Sequence, residues 1–349
     1  MINYSLKIKN LTVLFTSKSR FIKALDNCDL SIPEKSFVGI VGASGSGKTV
    51  LLSSISGIIQ GEPGIISGSV EFDGKNILKI DERIVRILEI SQSNVLIRKN
   101  DHKYYKALKS LRKSILGKVS LIFQNPQRSI DPFFTIKNQF EEIFRFMNYE
   151  KRIIYNKTIE WLNKIKIHDP ESILDCYPYQ LSGGMLQRIC IAMAMITNPV
   201  LLLADEITES LDVRNSSVII NLLKHFNKTN NTTILFVTHN LNLIRNTADY
   251  IYVMYSGQIV EFGKTEEIFN SSKTHPYTEH LLNSRKLIRE GDMYFSRNDN
   301  KEKININNDD FEGCCYYNNC SYKKEKCMMK IKYVNISDTH IIKCNKYYG

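Results

Sequence analysis

The residues Gly42-Ala43-Ser44-Gly45-Ser46-Gly47-Lys48-Thr49 match the phosphate-loop pattern G-x-x-x-x-G-K-S/T at every specified position, and no other feature constrains the fold as tightly. Such a loop needs a strand before it and a helix after it. Phe37-Val38-Gly39-Ile40-Val41 has the apolar run of a buried parallel strand, and Val50-Leu51-Leu52 with Ile55 begins a helical pattern. Residues without a Cβ at Gly42, Gly45 and Gly47 let the loop amides, with Ser44 and Ser46, converge on phosphate oxygens, and the helix N-terminus adds a positive dipole end. The motif reads as an ATP site in which Lys48 neutralises the β and γ phosphates and the Thr49 hydroxyl holds Mg²⁺. A Gly/Ser surface turn would match by accident only, and would lack the flanking strand and helix.

Elsewhere, polar residues recur at the ends of apolar runs. Val119-Ser120-Leu121-Ile122-Phe123 reads as a buried strand delivering Gln124. Val200-Leu201-Leu202-Leu203-Ala204 ends in Asp205-Glu206, and Thr232 to Val237 ends in Thr238-His239. Two adjacent acids after an apolar strand are costly unless used. Ligands of doubly wound sheets sit outside the carboxyl ends of the strands, so Gln124, Asp205, Glu206 and His239 are expected to converge near the phosphate loop. Leu181-Ser182-Gly183-Gly184-Met185 follows the break at Tyr177-Pro178 and precedes a helical run to Ile196, which puts Ser182, Gly183 and Gly184 at an anion-binding helix N-terminus.

Ser5 to Leu14 and Ala24 to Ile32 read as strands of an antiparallel layer, and Gly68 to Gly74 as a strand closed by an Asp73-Gly74 turn. Phe15 stands where an aromatic ahead of the phosphate loop stacks on adenine; Phe21 competes for that role, and packing is the ordinary use of either. Asp81 to Lys113 is charged and mixed, expected to be helical in parts, and offers no chemistry. Thr135 to Asp169 reads as helical, with Phe140, Ile143, Phe144 and Met147 on one face and Ile159, Leu162 and Ile165 on another. Trp161, the only tryptophan, is expected in the core.

Taken in order, these motifs resemble the ATP-binding subunits of ABC transporters. Gln124 stands for the Q-loop, LSGGM at 181–185 for the signature, LLLADE at 201–206 for Walker B, Ser210-Leu211-Asp212 for the D-loop and His239 for the switch histidine. LSGGM is the most specific of them. The resemblance covers about residues 5 to 285 and looks closest to the oligopeptide, dipeptide and nickel importer group, on Asn125-Pro126, Tyr177-Pro178, His275-Pro276-Tyr277-Thr278 and Leu281-Leu282. It implies an α/β, P-loop NTPase fold over 1–285. A parallel RecA-like core with an antiparallel β layer would take 1–124 and 196–285, and a helical subdomain 125–195. It further implies that Asp205, Thr49 and Gln124 attend Mg²⁺, that Glu206 is the general base, and that His239 contacts the γ-phosphate. Ser182, Gly183 and Gly184 would reach the ATP held by an opposing subunit. The chain departs from the family in two places: Ile207 replaces the usual proline after Glu206, which restores a backbone N–H and slows turnover without abolishing it, and 81–113 is longer than the usual connection.

Five of the eight cysteines crowd between Cys314 and Cys344, which suggests metal rather than disulfides in a chain without a signal peptide. Cys314-x5-Cys320-x6-Cys327-x16-Cys344 resembles the cysteine-rich extension of peptide-importer subunits, where a structural 4Fe-4S iron-sulfur cluster is held; Zn²⁺ is the alternative, and Cys315 a competing ligand. Cys28, Cys176 and Cys190 read as buried apolar residues, and Ile288 to Asp310 as a linker within an extension spanning 286–349.

A formal charge of +11 permits a nucleic-acid or lipid partner, but the basic residues are interleaved with acids, so no nucleic acid is expected. No apolar run reaches the roughly 18 residues of a membrane span, so cytoplasmic residence is expected, and the family resemblance implies a peripheral place at the cytoplasmic face of the cell membrane. The expected function is ATP hydrolysis that energises an importer for oligopeptides or dipeptides. Its partners would be a second ABC ATPase, identical or related, two transmembrane permease subunits and an extracytoplasmic solute-binding protein. Nickel or a metal chelate is the alternative cargo. A soluble, non-transport ABC ATPase is the more distant reading, since one phosphate loop is present and no coiled-coil heptads interrupt it.

Overall fold

The computed structural model describes residues 3–17, 20–90, 95–147, 149–209, 211–289 and 313–348. Contacts divide the chain into two compact units, one of residues 1–33, 38–114 and 239–349, the other of 34–37 and 115–238.

In the first unit an antiparallel sheet runs in the order Arg20–Pro33, Tyr4–Ser17, Pro63–Phe72, Lys75–Ile80. Alternation sets its register: Leu6 lies opposite Ile32 and Phe72, and Ile8 opposite Leu30 and Val70, all buried. Asp73 and Gly74 both have positive φ, 51° and 70°, as the tight turn between the last two strands requires. A second sheet pairs Phe37–Val41 in parallel with Tyr250–Tyr255, Val38 opposite Tyr250 and Val41 opposite Val253. Gln258–Lys264 continues it antiparallel, and the short strands Ile341–Ile342 and Val334–Asn335 of the cysteine-rich tail add to that strand's far side.

The segment 81–113 is helical in part, as expected, and its helix comes second. Its first half is a hairpin of Val85–Ile90 and Val95–Lys99 in which β-branched residues pair, Ile87 opposite Ile97; the helix Asp101–Ile115 follows. The helix is pinned by Tyr104, whose buried hydroxyl accepts the Ile65 N–H at 3.0 Å.

In the second unit Leu201–Asp205 lies between Thr233–Val237 and Val119–Ile122, all parallel, with Leu203 opposite both Leu235 and Leu121. The first two strands are buried throughout. Val119–Ile122, expected to be buried, is half-buried, and Phe123 is 42% exposed, because this strand is the sheet's edge. The helical run 135–169 is two helices, Ile136–Phe146 and Lys151–Lys164, the first capped by the Thr135 hydroxyl, which accepts the Asn138 N–H. Phe140, Phe144, Leu162 and Ile165 are buried as their spacing predicts. Trp161 is buried with its ring 5.3 Å from Phe226 of the helix Val213–Asn230. Among the described residues no helix is long and apolar enough to cross a membrane.

Phe226→Ala opens a cavity beside the sole tryptophan. It is expected to lower the stability of the second unit by about 3–5 kcal/mol and to shift Trp161 emission to the red. An unchanged emission maximum and denaturation midpoint in urea would refute the packing described.

Candidate functional site

The phosphate loop links the strand Phe37–Val41 to the helix Lys48–Ser56. Its path allows only glycine at two points. A Cβ on Gly42 would run into the Met254 carbonyl, and one on Gly47, whose φ is +100°, into the Ala24 carbonyl. The Ser46 carbonyl accepts the Gly257 N–H at 2.9 Å, which fixes the loop to the turn after Tyr250–Tyr255. Gly47 is the helix N-cap, in the left-handed conformation, and no side chain caps that end. The Lys48 ammonium is buried and donates to the carbonyls of Gly42 and Ala43 at 3.0 and 2.9 Å. Ser44, Gly45 and Thr49 are exposed, and Ser46 is buried. Phe15, half-buried on Tyr4–Ser17, lays its ring against Gly61, where a Cβ would stand 2.9 Å from it.

In the second unit the buried strand Leu201–Asp205 carries Asp205, 3% exposed, to its end opposite Val237. Glu206 then turns into the left-handed region, φ 45°, held there by its N–H to the Val237 carbonyl at 3.0 Å. Ile207 is buried behind it. Gln124 donates its amide to Glu206 Oε2 at 3.4 Å and, more closely, to Glu209 Oε2. Ser182 is the N-cap of the helix Gly183–Met195, accepting the Met185 N–H at 3.3 Å, and it and Gly183 are exposed. His239 stands two residues beyond the end of Thr233–Val237 and belongs to the first unit.

Within the first unit, Cys314, Cys320, Cys327 and Cys344 line one small pocket together with His275 and Lys346. The tail folds around it through the Cys314 N–H to the Cys327 carbonyl, 2.8 Å, and the Lys346 N–H to Cys344 Sγ, 3.4 Å. Burial pushes the Cys344 thiol up to about 11 and raises Cys320 as well, whereas the Cys315 thiol, and after it the His275 ring, hold Cys314 below the usual thiol range. A buried carboxylate binds the tail to the rest. Glu261 accepts from His340 Nε2 at 2.7 Å and from the His275 N–H at 2.9 Å, and Tyr347 Oη donates to the Thr274 carbonyl.

Comparison with known proteins decides the family. Residues 25–209 match the family described as ABC transporter, and residues 260–327 the oligopeptide/dipeptide transporter C-terminal region. The chain belongs to the ABC transporter family. It is 34% identical to the dipeptide transport ATP-binding protein DppD of Haemophilus influenzae, over 97% of this chain and 94% of that one. It is 35% identical to the oligopeptide transport ATP-binding protein AppD of Bacillus subtilis, over 81% and 79%. Among solved structures it resembles the ATP-binding cassette MJ0796, a dimer in a post-hydrolysis state bound to ADP and Pi, with a TM-score of 0.57 at 27% identity over 74% of this chain and 98% of that one. As a member of this family the chain is an ATPase.

Several residues of this ABC subunit do not fall where the sequence puts them, or escape it. Ser210 of the D-loop lies outside the described residues, while Asp212 caps the helix Val213–Asn230 and is held below the usual carboxylate range by the Asn215 N–H. The linker expected from Ile288 begins inside the helix Pro276–Arg289, and the rest of that stretch lies outside the described residues. Cys176, expected to be buried, is half-buried and donates to the Ser172 carbonyl, because it sits at the end of a short helix. Sequence reading misses Glu209 beside Gln124, His275 at the cysteine pocket, and Tyr277, whose hydroxyl accepts the Ala43 N–H of the phosphate loop at 2.7 Å. Only the HPYT stretch signals the last two, and it does not say what they touch. Cys28 and Cys190, pushed up to about 12 by burial, are expected to resist iodoacetamide at pH 8, their thiolate fraction being down about 1000-fold. Mass-spectrometric mapping that finds either labelled as fast as an exposed thiol would contradict their burial.

Proposed function

We propose that this chain is the ATP-hydrolysing subunit of an importer for oligopeptides or dipeptides. What carries the reading is the presence, in one chain, of a complete phosphate loop and a C-terminal region like that of oligopeptide/dipeptide transporters, along a full-length likeness to a dipeptide transport ATP-binding protein. In this reading residues 1–285 are the nucleotide domain, with 125–195 its helical subdomain.

The loop residues Gly42, Ser44, Gly45, Ser46 and Gly47 bind phosphate through their amides, Lys48 leaves its loop carbonyls for the β and γ phosphates, and Phe15 stacks on adenine. Thr49, Gln124 and Asp205 offer hard oxygen donors that suit Mg²⁺, which offsets phosphate charge when bound. The Gln124 amide nitrogen is already engaged by Glu206 and Glu209, so its carbonyl oxygen is the atom available to the ion. Glu206, on its strained backbone, takes the proton of the attacking water, and His239 contacts the γ-phosphate. The exposed Ser182 and Gly183, with Gly184, complete the site of an opposing ATPase subunit, identical or related.

Such a pair works at the cytoplasmic face of the membrane beneath two permease subunits, supplied by an extracytoplasmic solute-binding protein. Cys314, Cys320, Cys327 and Cys344 fit a 4Fe-4S cluster, four thiols with backbone N–H groups directed at sulfur, and would hold it as a cross-link of the tail; Zn²⁺ is the competing occupant.

Glu206→Gln is expected to keep MgATP binding and to lower hydrolysis by about 10²–10⁴-fold, since the amide cannot accept the proton. Undiminished turnover would remove Glu206 from this role. The cargo is tested in proteoliposomes containing the full importer: ATP-dependent uptake of a labelled dipeptide is expected. Uptake of Ni²⁺ in its place would overturn the peptide assignment and leave the ATPase reading standing.

A further inference from the structure

The phosphate loop and the cysteine pocket are joined inside the first unit by a short run of packed side chains. Ala43 is the hub of the loop: its carbonyl accepts from Lys48 Nζ at 2.9 Å and from the Ser46 N–H at 3.2 Å, while its own N–H donates to Tyr277 Oη at 2.7 Å. Tyr277 is 4% exposed, and its ring packs against Tyr255 and Tyr316 with centroids 4.6 and 5.4 Å away. Tyr316, also buried, stands two residues from Cys314, edge-on to Tyr255 at 5.1 Å and 5.9 Å from the His275 ring. His275 accepts the Tyr277 N–H on Nδ1 and lines the cysteine pocket. Asn319, one residue before Cys320, donates to Tyr255 Oη at 3.1 Å.

Tyr277 is therefore fixed on one side by the segment that supplies two of the four cysteines, and on the other holds the peptide on which Lys48 rests. We infer that Tyr277 is a positioning residue for the phosphate loop and that, through Tyr316, it couples occupancy of the cysteine pocket to nucleotide affinity. The coupling rests on the reading of the pocket as a metal site; the positioning does not. A group that draws Cys314 and Cys320 together orders Tyr316 and Asn319, and thereby the Tyr277 hydroxyl, in the place the loop needs. Linkage makes the effect reciprocal, so bound nucleotide strengthens retention of the metal by the same factor.

The test uses the full chain purified without oxygen, its iron and zinc content measured, and MgADP binding followed by calorimetry before and after the metal is stripped by chelator. In the wild type, stripping is expected to weaken MgADP binding about five-fold, the size of one hydrogen bond. Tyr277→Phe, which keeps the ring and its packing, is expected to bind MgADP about five-fold more weakly with the metal in place and to lose any further response to stripping. Tyr316→Leu leaves the Ala43 hydrogen bond and is expected to abolish the response alone; it also serves if Tyr277→Phe fails to fold by circular dichroism. Wild-type affinity in Tyr277→Phe overturns the positioning role. A metal-bearing wild type whose affinity ignores stripping, or a Tyr316→Leu chain that keeps the response, overturns the coupling. A chain that carries neither iron nor zinc overturns the metal reading and the coupling together, and the positioning role is then decided by Tyr277→Phe alone.

Discussion

The first unit depends on the close passage of one backbone between two others. The phosphate loop threads past the Ala24 carbonyl of the antiparallel sheet and the Met254 carbonyl of the strand Tyr250–Tyr255, and at both points even a methyl group would collide. That clearance sets where the helix Lys48–Ser56 begins, and the Lys48 ammonium turns back over the loop. Both sheets of the unit serve as walls for this passage. Their apolar registers thus fix the path of the loop.

In the second unit Asp205 and Glu206 are carried by a strand that packing holds on both sides. Leu201–Asp205 is buried along its whole length between two parallel neighbours, so the acids at its end are placed by packing rather than by solvent. Glu206 departs from the strand in a conformation unfavourable for a residue with a side chain, and the Val237 carbonyl holds it there. Gln124, arriving from the edge strand, donates to two carboxylates at once and eases their mutual repulsion. Ile207 supplies buried apolar surface behind the acid, where a proline would have restricted the backbone instead.

The tail is attached by a different principle. It is joined to the strand Gln258–Lys264 by two added short strands and by Glu261, a fully buried carboxylate shared between His340 and the His275 amide. A buried acid is tolerable only with both partners present, so this contact favours one seating of the tail over others. That seating brings the cysteines, scattered over thirty-one residues of sequence, to one pocket and sets Tyr316 against Tyr277.

The sequence by itself determined the local chemistry: the loop with its flanking strand and helix, the apolar strands ending in Asp205 and in His239, Ser182 at a helix start, and the faces of Phe140 and Leu162. Each is a short pattern whose physics is complete within a few residues, a glycine needing clearance or an alternation needing a core. The hairpin in 81–113 was not legible, because its charged residues mask the β-branched pairs that only pairing reveals. Nor was the exposure of Val119–Ile122, since an edge strand and a central one share the same apolar run. Tertiary structure alone decided that Glu209 stands beside Gln124, that Glu261 holds the tail, and that Tyr277 reaches Ala43 across more than two hundred residues. Those contacts depend on where whole elements come to rest, and no local preference of the chain encodes that.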